Sequence, residues 1–279
     1  MRYICVNLKR FDIPEEYDGI NNIAPIHSWG SYLAEHIQKI AEKYEEKAQF
    51  IVFFPEAHLI PAMHVKNPCS KWHIGGQGVY REDTEKNGNF GAFTTNHTAK
   101  TLKALGCDYV IIGHCEERID KNGILAEAGV TDRTIVNRIL NREIKQAVSA
   151  GLYVLYCVGE NEAEQECWEQ VLEKQLDMGL AGIDKKKIII GYEPLWSIGP
   201  GKPVPDKNYI LKVSEFIKRK TKGCAVIYGG GLKEENAEML SAIESVDGGL
   251  IGLTSFSGKI GFYPEGFERI TARYLGGNL

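Results

Sequence analysis

Glu193 is a lone carboxylate at the end of an apolar run in IIIGYEPLWSIGPGK (188–202), and Pro194 follows it directly. Proline confines the preceding residue to extended backbone, which suits an acid carried out of a strand end. Other groups able to move protons or hold charge stand at the ends of other apolar runs. Asn7 and Lys9 follow YICV, His114 follows YVIIG, and Glu160 closes YCVGE. Glycines close two more runs, at Gly229, Gly230 and Gly231 and at Gly248, Gly249 and Gly252. Taken singly, each has a plainer use. A histidine after a strand is more often a structural hydrogen-bonding group, a loop lysine or glutamate is usually solvated, and Gly-Gly-Gly is mostly a turn. Their joint placement at the ends of different runs points to one functional rim.

The runs themselves are the elements that must position these groups. Strands are predicted at 3–7, 50–54, 73–77, 109–113, 153–158, 188–192, 225–228 and 249–252. Most are near-continuous in apolar character rather than alternating, as in parallel strands covered on both faces. Helical spacing recurs between them, at 28–47, 96–105, 131–150, 163–178, 206–220, 234–242 and 264–275. In the first of these, Tyr32, Leu33, Ile37, Ile40 and Tyr44 form one apolar stripe. The 55–72 connection is only weakly helical, and HIGGQ is a poor strand by propensity. No linker or low-complexity tract breaks the chain. Eight βα units without a boundary predict an α/β fold, a (β/α)8 barrel forming a single domain over 1–279. An open doubly wound sheet is the alternative. The two differ in where chemistry gathers, and residues at the ends of many strands favour the barrel.

Composition excludes several partners. The net charge is −4 with no basic stripe, so neither nucleic acid nor an anionic membrane surface is expected. No stretch approaches 18 consecutive apolar residues, and the start MRYICVNLKRF is too short and polar for a secretory signal, so a cytoplasmic location is expected. The 7 cysteines are odd in number and lack a C-x-x-C, which reads as reduced thiols. His58, His64, Cys69 and His73 are metal-type ligands at a spacing that matches no recognised site, so no metal is expected.

Several stretches carry a resemblance. IIGHCEER is similar to the G-H-S-E-R-R signature of the triosephosphate isomerase family, and GYEPLWSIGPGK resembles its A-Y-E-P-V-W-A-I-G-T-G-K. YCVGE resembles C-I-G-E, YGGGLKEENA resembles Y-G-G-S-V-x-x-x-N-A, and VNLK resembles G-N-W-K. GGQ and GAFT (91–94) look like the third strand's glutamine and the loop after it. These stretches run in family order from residue 7 to about residue 255.

The resemblance implies a cofactor-free aldose–ketose isomerase, interconverting D-glyceraldehyde 3-phosphate and dihydroxyacetone phosphate through an enediolate, with a place in glycolysis and gluconeogenesis. It implies that Glu193 is the base and that His114, as a neutral imidazole, shuttles protons between the two oxygens. Lys9 would supply positive charge and Asn7 a hydrogen bond, with Glu116 ordering Lys9 from behind. Pro194 and Trp196 would form one hinge of a lid with Ser197, Ile198 and Gly201 in its tip, and Lys202 would begin the other hinge. Phosphate would be gripped by backbone N–H groups of Gly199, Gly230, Gly231, Gly252 and Leu253. Cys115 and Cys157 would be packing thiols rather than nucleophiles. A homodimer is implied, with 78–96 reaching toward the partner and Thr94 nearest the contact.

Departures from the pattern cluster in particular places. The family's Y-G-G-S is YGGG here, its paired glycines after the eighth strand become Gly252 and Leu253, and its Met-Asn after the first strand becomes Arg10 and Phe11. The stretch 77–91 and the one around IDKNGILAEAGVTD are longer than the family's. These departures keep three other readings open: an isomerase of a tetrose (erythrulose) phosphate, a Schiff-base aldolase using Lys9, and a barrel that only binds.

Overall fold

The computed structural model of the chain describes residues 1–199 and 202–276. Its strands are β1 (Arg2–Asn7), β2 (Ala48–Phe54), β3 (His73–Gly76), β4 (Tyr109–Ile112), β5 (Tyr153–Val158), β6 (Ile188–Tyr192), β7 (Ala225–Tyr228) and β8 (Gly248–Ile251). They pair in chain order, all parallel, and β8 returns to β1 from Tyr3↔Gly248 to Val6↔Ile251. That last ladder closes the sheet and rules out the open doubly wound alternative. The fold is the (β/α)8 barrel, as expected.

Alternate strand residues face opposite ways, and here both faces are buried. Cys5, Ile51, Phe53, Tyr109, Ile111, Leu155, Cys157, Ile189, Ile227 and Leu250 fill the barrel interior as one cluster. Their neighbours along the strands, such as Ile4, Val6, Val110 and Tyr156, pack outward under the helices. Two buried faces explain why the strand runs are continuously apolar. The covering helices are α1 (Ile26–Tyr44), α2 (Glu56–Val65), α3 (Ala99–Ala104), α4 (Cys115–Glu127), α5 (Thr134–Ser149), α6 (Trp168–Gly179), α7 (Lys207–Thr221), α8 (Ala237–Ser241) and α9 (Pro264–Tyr274). Among the described residues, no helix is long and apolar enough to cross a membrane.

Three elements differ from what local sequence suggests. β3 is a strand in spite of HIGG, because Gly75 pairs with Phe53 on one side and Tyr109 on the other. Ladder partners outweigh propensity there. The weakly helical 55–72 stretch contains α2, which is apolar nearly all round and carries Pro61 inside it, so it shows no stripe. It packs on α1, with Trp29 and His58 ring centroids 4.9 Å apart. The extended fourth connection is mostly α4 itself. Only 128–133 remain as loop before α5, and α4 was hard to read because Cys115 and Arg118 are its only buried residues. The long 78–98 segment has neither helix nor strand, and His97 ties its two ends together through Gly78 O at 2.6 Å and Tyr80 N at 2.9 Å.

Candidate active site

Gly248 and Gly249, expected to close the eighth strand, instead begin β8 and pair with Tyr3 and Ile4 near the start of β1. Asn7, Lys9, His114, Glu193, the glycines after β7 and Gly252 open onto one face of the barrel. A cavity of about 260 Å³ there is lined by Asn7, Lys9, His114, Glu116, Glu193, Ile198, Gly199, Gly230, Gly231, Gly252 and Leu253, with Phe11, Lys233 and Phe256 among the others.

Glu193 leaves the end of β6 with its N–H still bonded to Val158 O at 2.8 Å. The residue is 1% exposed. Its Oε2 accepts the Cys115 N–H at 2.9 Å, the first free amide of α4, where the helix dipole favours negative charge. Its Oε1 has no hydrogen-bond partner among the described residues, although His114 Nε2 approaches to 3.2 Å. The ion-pair distance is met and hydrogen-bond alignment is not, so this oxygen is close to the imidazole and still free to take a proton. Burial raises the Glu193 carboxyl above its ordinary range, opposed by His114, the Cys115 N–H and Lys9. Its position leaves little room. A Cβ on Gly229 would stand 2.7 Å from Glu193 Cγ, and one on Gly159 would stand 1.8 Å from Glu193 O.

His114 is the N-cap of α4, and its Nδ1 accepts the Glu116 N–H at 3.3 Å. An accepting Nδ1 places the neutral ring's proton on Nε2, the nitrogen facing Glu193. Lys9 has φ +42, a conformation unusual outside glycine. Asn7 supports it, since Asn7 Oδ1 accepts the Lys9 N–H at 3.1 Å in an Asx turn. Gln77 Nε2 donates to the same Oδ1 at 3.2 Å and to Lys9 O at 3.2 Å. Asn7 therefore has its oxygen occupied and its side-chain N–H groups without an acceptor among the described residues. Lys9 Nζ meets Glu116 Oε1 at 2.6 Å.

The segment after Glu193 is pinned at one buried acid. Leu195–Ser197 forms a single 3-10 turn, and Trp196 Nε1 donates to Glu160 Oε1 at 2.7 Å. The Tyr192 and Tyr209 hydroxyls donate to that same oxygen at 2.9 and 3.1 Å. Ser197 Oγ donates back to Pro194 O at 3.0 Å, Ile198 and Gly199 line the cavity, and Lys202 is exposed. Gly201 lies outside the described residues. At the opposite end of the cavity, the N–H groups of Gly199, Gly230, Gly231, Gly252 and Leu253 donate to no protein acceptor among the described residues. Converging free amides of this kind attract anions.

The two thiols nearest the site, Cys115 and Cys157, are buried. Burial pushes the Cys115 thiol up to about 12 and the Cys157 thiol well above its usual range. Cys157 belongs to the barrel interior, and its carbonyl accepts Arg118 Nη2 at 2.9 Å. Of the four metal-type residues, His58 and His73 contact Asp12 and Asp108 at 3.1 and 2.8 Å. Sequence reading set Glu160 at the rim and noted Gln77 and Phe11 without a specific role in the site, and it gave none to Lys233 or Phe256. The polar-tipped Tyr192 and Trp196 on either side of Glu193 hinted at a buried acceptor such as Glu160. Lys233 stood inside a quoted motif without any local sign that its side chain turns inward.

A profile of the triosephosphate isomerase family matches residues 27–270. The triosephosphate isomerase of Geobacter metallireducens is 39% identical over 175 residues, which are 58% of this chain and 65% of that protein, just under two thirds of its length. That of Acaryochloris marina is 33% identical over 204 residues, 72% of this chain and 75% of the relative. The crystal structure of triosephosphate isomerase from Bartonella henselae superposes with a TM-score of 0.72 at 25% identity, covering 98% of each chain. With a barrel of this topology and a profile match spanning seven of its eight strands, the chain belongs to the triosephosphate isomerase family.

Proposed function

We propose that the protein interconverts D-glyceraldehyde 3-phosphate and dihydroxyacetone phosphate by proton transfer through an enediolate. The observation that carries this is the juxtaposition of the buried Glu193 carboxylate, its Oε1 free, with His114 Nε2 at 3.2 Å. A barrel that only binds has no need of an unsolvated base beside a proton donor.

In this reading, Glu193 takes a proton from the substrate carbon next to the carbonyl and returns it to the neighbouring carbon. Desolvation makes the carboxylate a stronger base than it is in water. The His114 Nε2–H polarises the carbonyl oxygen and passes protons between the two oxygens, so no net charge leaves the site. Lys9 and the free Asn7 amide stabilise the enediolate as charge moves onto oxygen. The free amides of Gly199, Gly230, Gly231, Gly252 and Leu253 grip the phosphate. Pro194, Trp196, Ser197, Ile198, Gly201 and Lys202 belong to a lid that excludes water from the enediolate, with Glu160 anchoring its first hinge. Glu116 holds the Lys9 ammonium, and Cys157 packs beneath the site.

The Schiff-base alternative is disfavoured because Lys9 Nζ is ion-paired rather than desolvated. The protein acts as a cytoplasmic homodimer in this reading. Its 7 cysteines form no disulfide, and the exposed 85–96 tip, with Phe90 at its surface, is the part offered to a partner. The test is a panel of triose, tetrose and pentose phosphates assayed in both directions, with mass measured by light scattering. Turnover of the triose phosphates by a dimer is expected. Turnover of a tetrose phosphate alone overturns the substrate assignment, and full activity as a monomer overturns the assembly.

A further inference from the structure

The phosphate end of the cavity holds a second ammonium. Lys233 follows Gly231 by two residues, and its Cε lies 3.6 Å from where a Cβ on Gly231 would stand. Gly231 has φ +99, a conformation side chains rarely adopt. The left-handed backbone is what favours glycine at 231, and the lysine stem folds back over the loop at ordinary van der Waals distance from it. Asn236 fixes that loop from both ends, accepting the Lys233 N–H at 2.8 Å and donating to Gly231 O at 2.9 Å.

The ammonium is held from above by Phe256, whose ring centroid is 4.4 Å from Nζ, a cation–π distance. Phe256 is carried by the connection after β8, where Ser255 and Gly261 form an antiparallel bridge. Among the described residues, no carboxylate neutralises Lys233 closely. The nearest ion-pair contact is Glu235 at 4.0 Å, a side chain 66% exposed, whereas Lys9 has Glu116 at 2.6 Å. The charge of the lining points the same way. At neutral pH its lysines and carboxylates are Lys9 and Lys233 against Glu116 and the Glu193 base in its ionised form. Without Lys233 the cavity would carry one net negative charge and repel a phosphate dianion. With it the side chains balance, and the free amides are left to attract.

We propose that Lys233 is a phosphate-binding residue of this site, its ammonium held by Phe256 over the glycine loop so as to contact the phosphate monoester of the substrate. The proposal rests on the sugar-phosphate reading above, and its test is chosen to fail separately from that reading. Inorganic phosphate is titrated calorimetrically into the wild type, Lys233→Met and Lys233→Arg. Losing a hydrogen bond between charged groups weakens binding roughly ten- to a hundredfold, so that loss is expected in Lys233→Met, with most of it restored in Lys233→Arg. Lys233→Gln serves as the uncharged variant if the methionine variant does not fold. Phe256→Leu, which keeps the charge and removes the ring, is expected to lose affinity by a smaller factor. Equal affinity in the wild type and the uncharged variant overturns the proposal, as does a wild type that binds no phosphate. If phosphate binding depends on Lys233 but triose phosphates are not turned over, the inference stands and the isomerase reading falls.

Discussion

At the end of the cavity built by β4 and β6, the Glu193 carboxylate is confined by the Cys115 N–H, by His114 Nε2 and by backbone that leaves no room for a Cβ at Gly229 or Gly159. At the end built by β7 and β8 there is space at Gly252 and Gly231, although a Cβ on Gly230 would stand 2.4 Å from the Tyr228 hydroxyl. A Cβ at Gly252 would meet nothing within 4 Å, and one at Gly231 would meet only the movable Lys233 stem. One end depends on particular side chains in particular positions. The other depends more on where the main chain runs, because a backbone N–H is presented by almost any residue, with the Lys233 ammonium as the proposed side-chain addition. The departures from the resembled motifs fall accordingly. EPLW and GHCEE keep their acid, imidazole and proline, while Gly231 and Leu253 stand at positions whose expected contribution is a backbone N–H.

The largest effect should come from the confined end. Glu193→Gln is expected to lower kcat by about a thousandfold or more, roughly 4 kcal/mol of transition-state stabilisation at 1.36 kcal/mol per tenfold. Inorganic phosphate affinity should hardly move. Stability should respond in the opposite sense to activity. Burial holds the Glu193 carboxyl above its ordinary 4.5, so the folded chain keeps this proton to higher pH than the unfolded chain does. Stability is therefore lost as pH rises from about 4.5 through the raised value. Thermal melts should show Glu193→Gln more stable than wild type at pH 7, with the difference closing below pH 4.5. A glutamine variant less stable at pH 7 would mean that the carboxylate's partners outweigh its desolvation.

An intermediate effect is expected from Gly229→Ala, whose new methyl would stand 2.7 Å from Glu193 Cγ. Displacing a catalytic group by about 1 Å can cost on the order of a hundredfold, so kcat should fall by about that factor while the melting curve changes little. An alanine variant with wild-type kcat would show that the confined end has slack, and the contrast between the two ends would collapse.

The smallest effect belongs to the open end. Leu253 lines the cavity and is half-buried. If, in the proposed reading, its side chain crowds the anion while its N–H helps to hold it, Leu253→Gly should tighten phosphate binding by about threefold, under 1 kcal/mol. Calorimetry reads this directly. A change beyond tenfold in either direction would mean that the side chain at 253, and not the chain path there, sets its contribution to affinity.

Much of this molecule was legible from residue order alone. Continuous apolar runs at regular spacing, separated by amphipathic segments, determine a parallel sheet covered on both faces. Glu193 before a proline, His114 after a strand and the glycine clusters mark the rim, because each signal is local: a restricted φ/ψ, an abrupt polar residue, a missing side chain. What tertiary structure alone decided is everything that depends on a partner distant in sequence. β3 is a strand because Phe53 and Tyr109 flank Gly75, and α2 is a helix because α1 covers it. Glu160 pins the segment after Glu193 because Tyr192, Trp196 and Tyr209 converge on one oxygen from three separate elements. Lys233 lines the cavity with its stem folded over the Gly231 loop and its ammonium against a ring 23 positions later. Spacing along the chain encodes periodicity and turns, but the direction in which a long side chain folds is set by the packing and charge around it, and those are assembled only when the barrel closes.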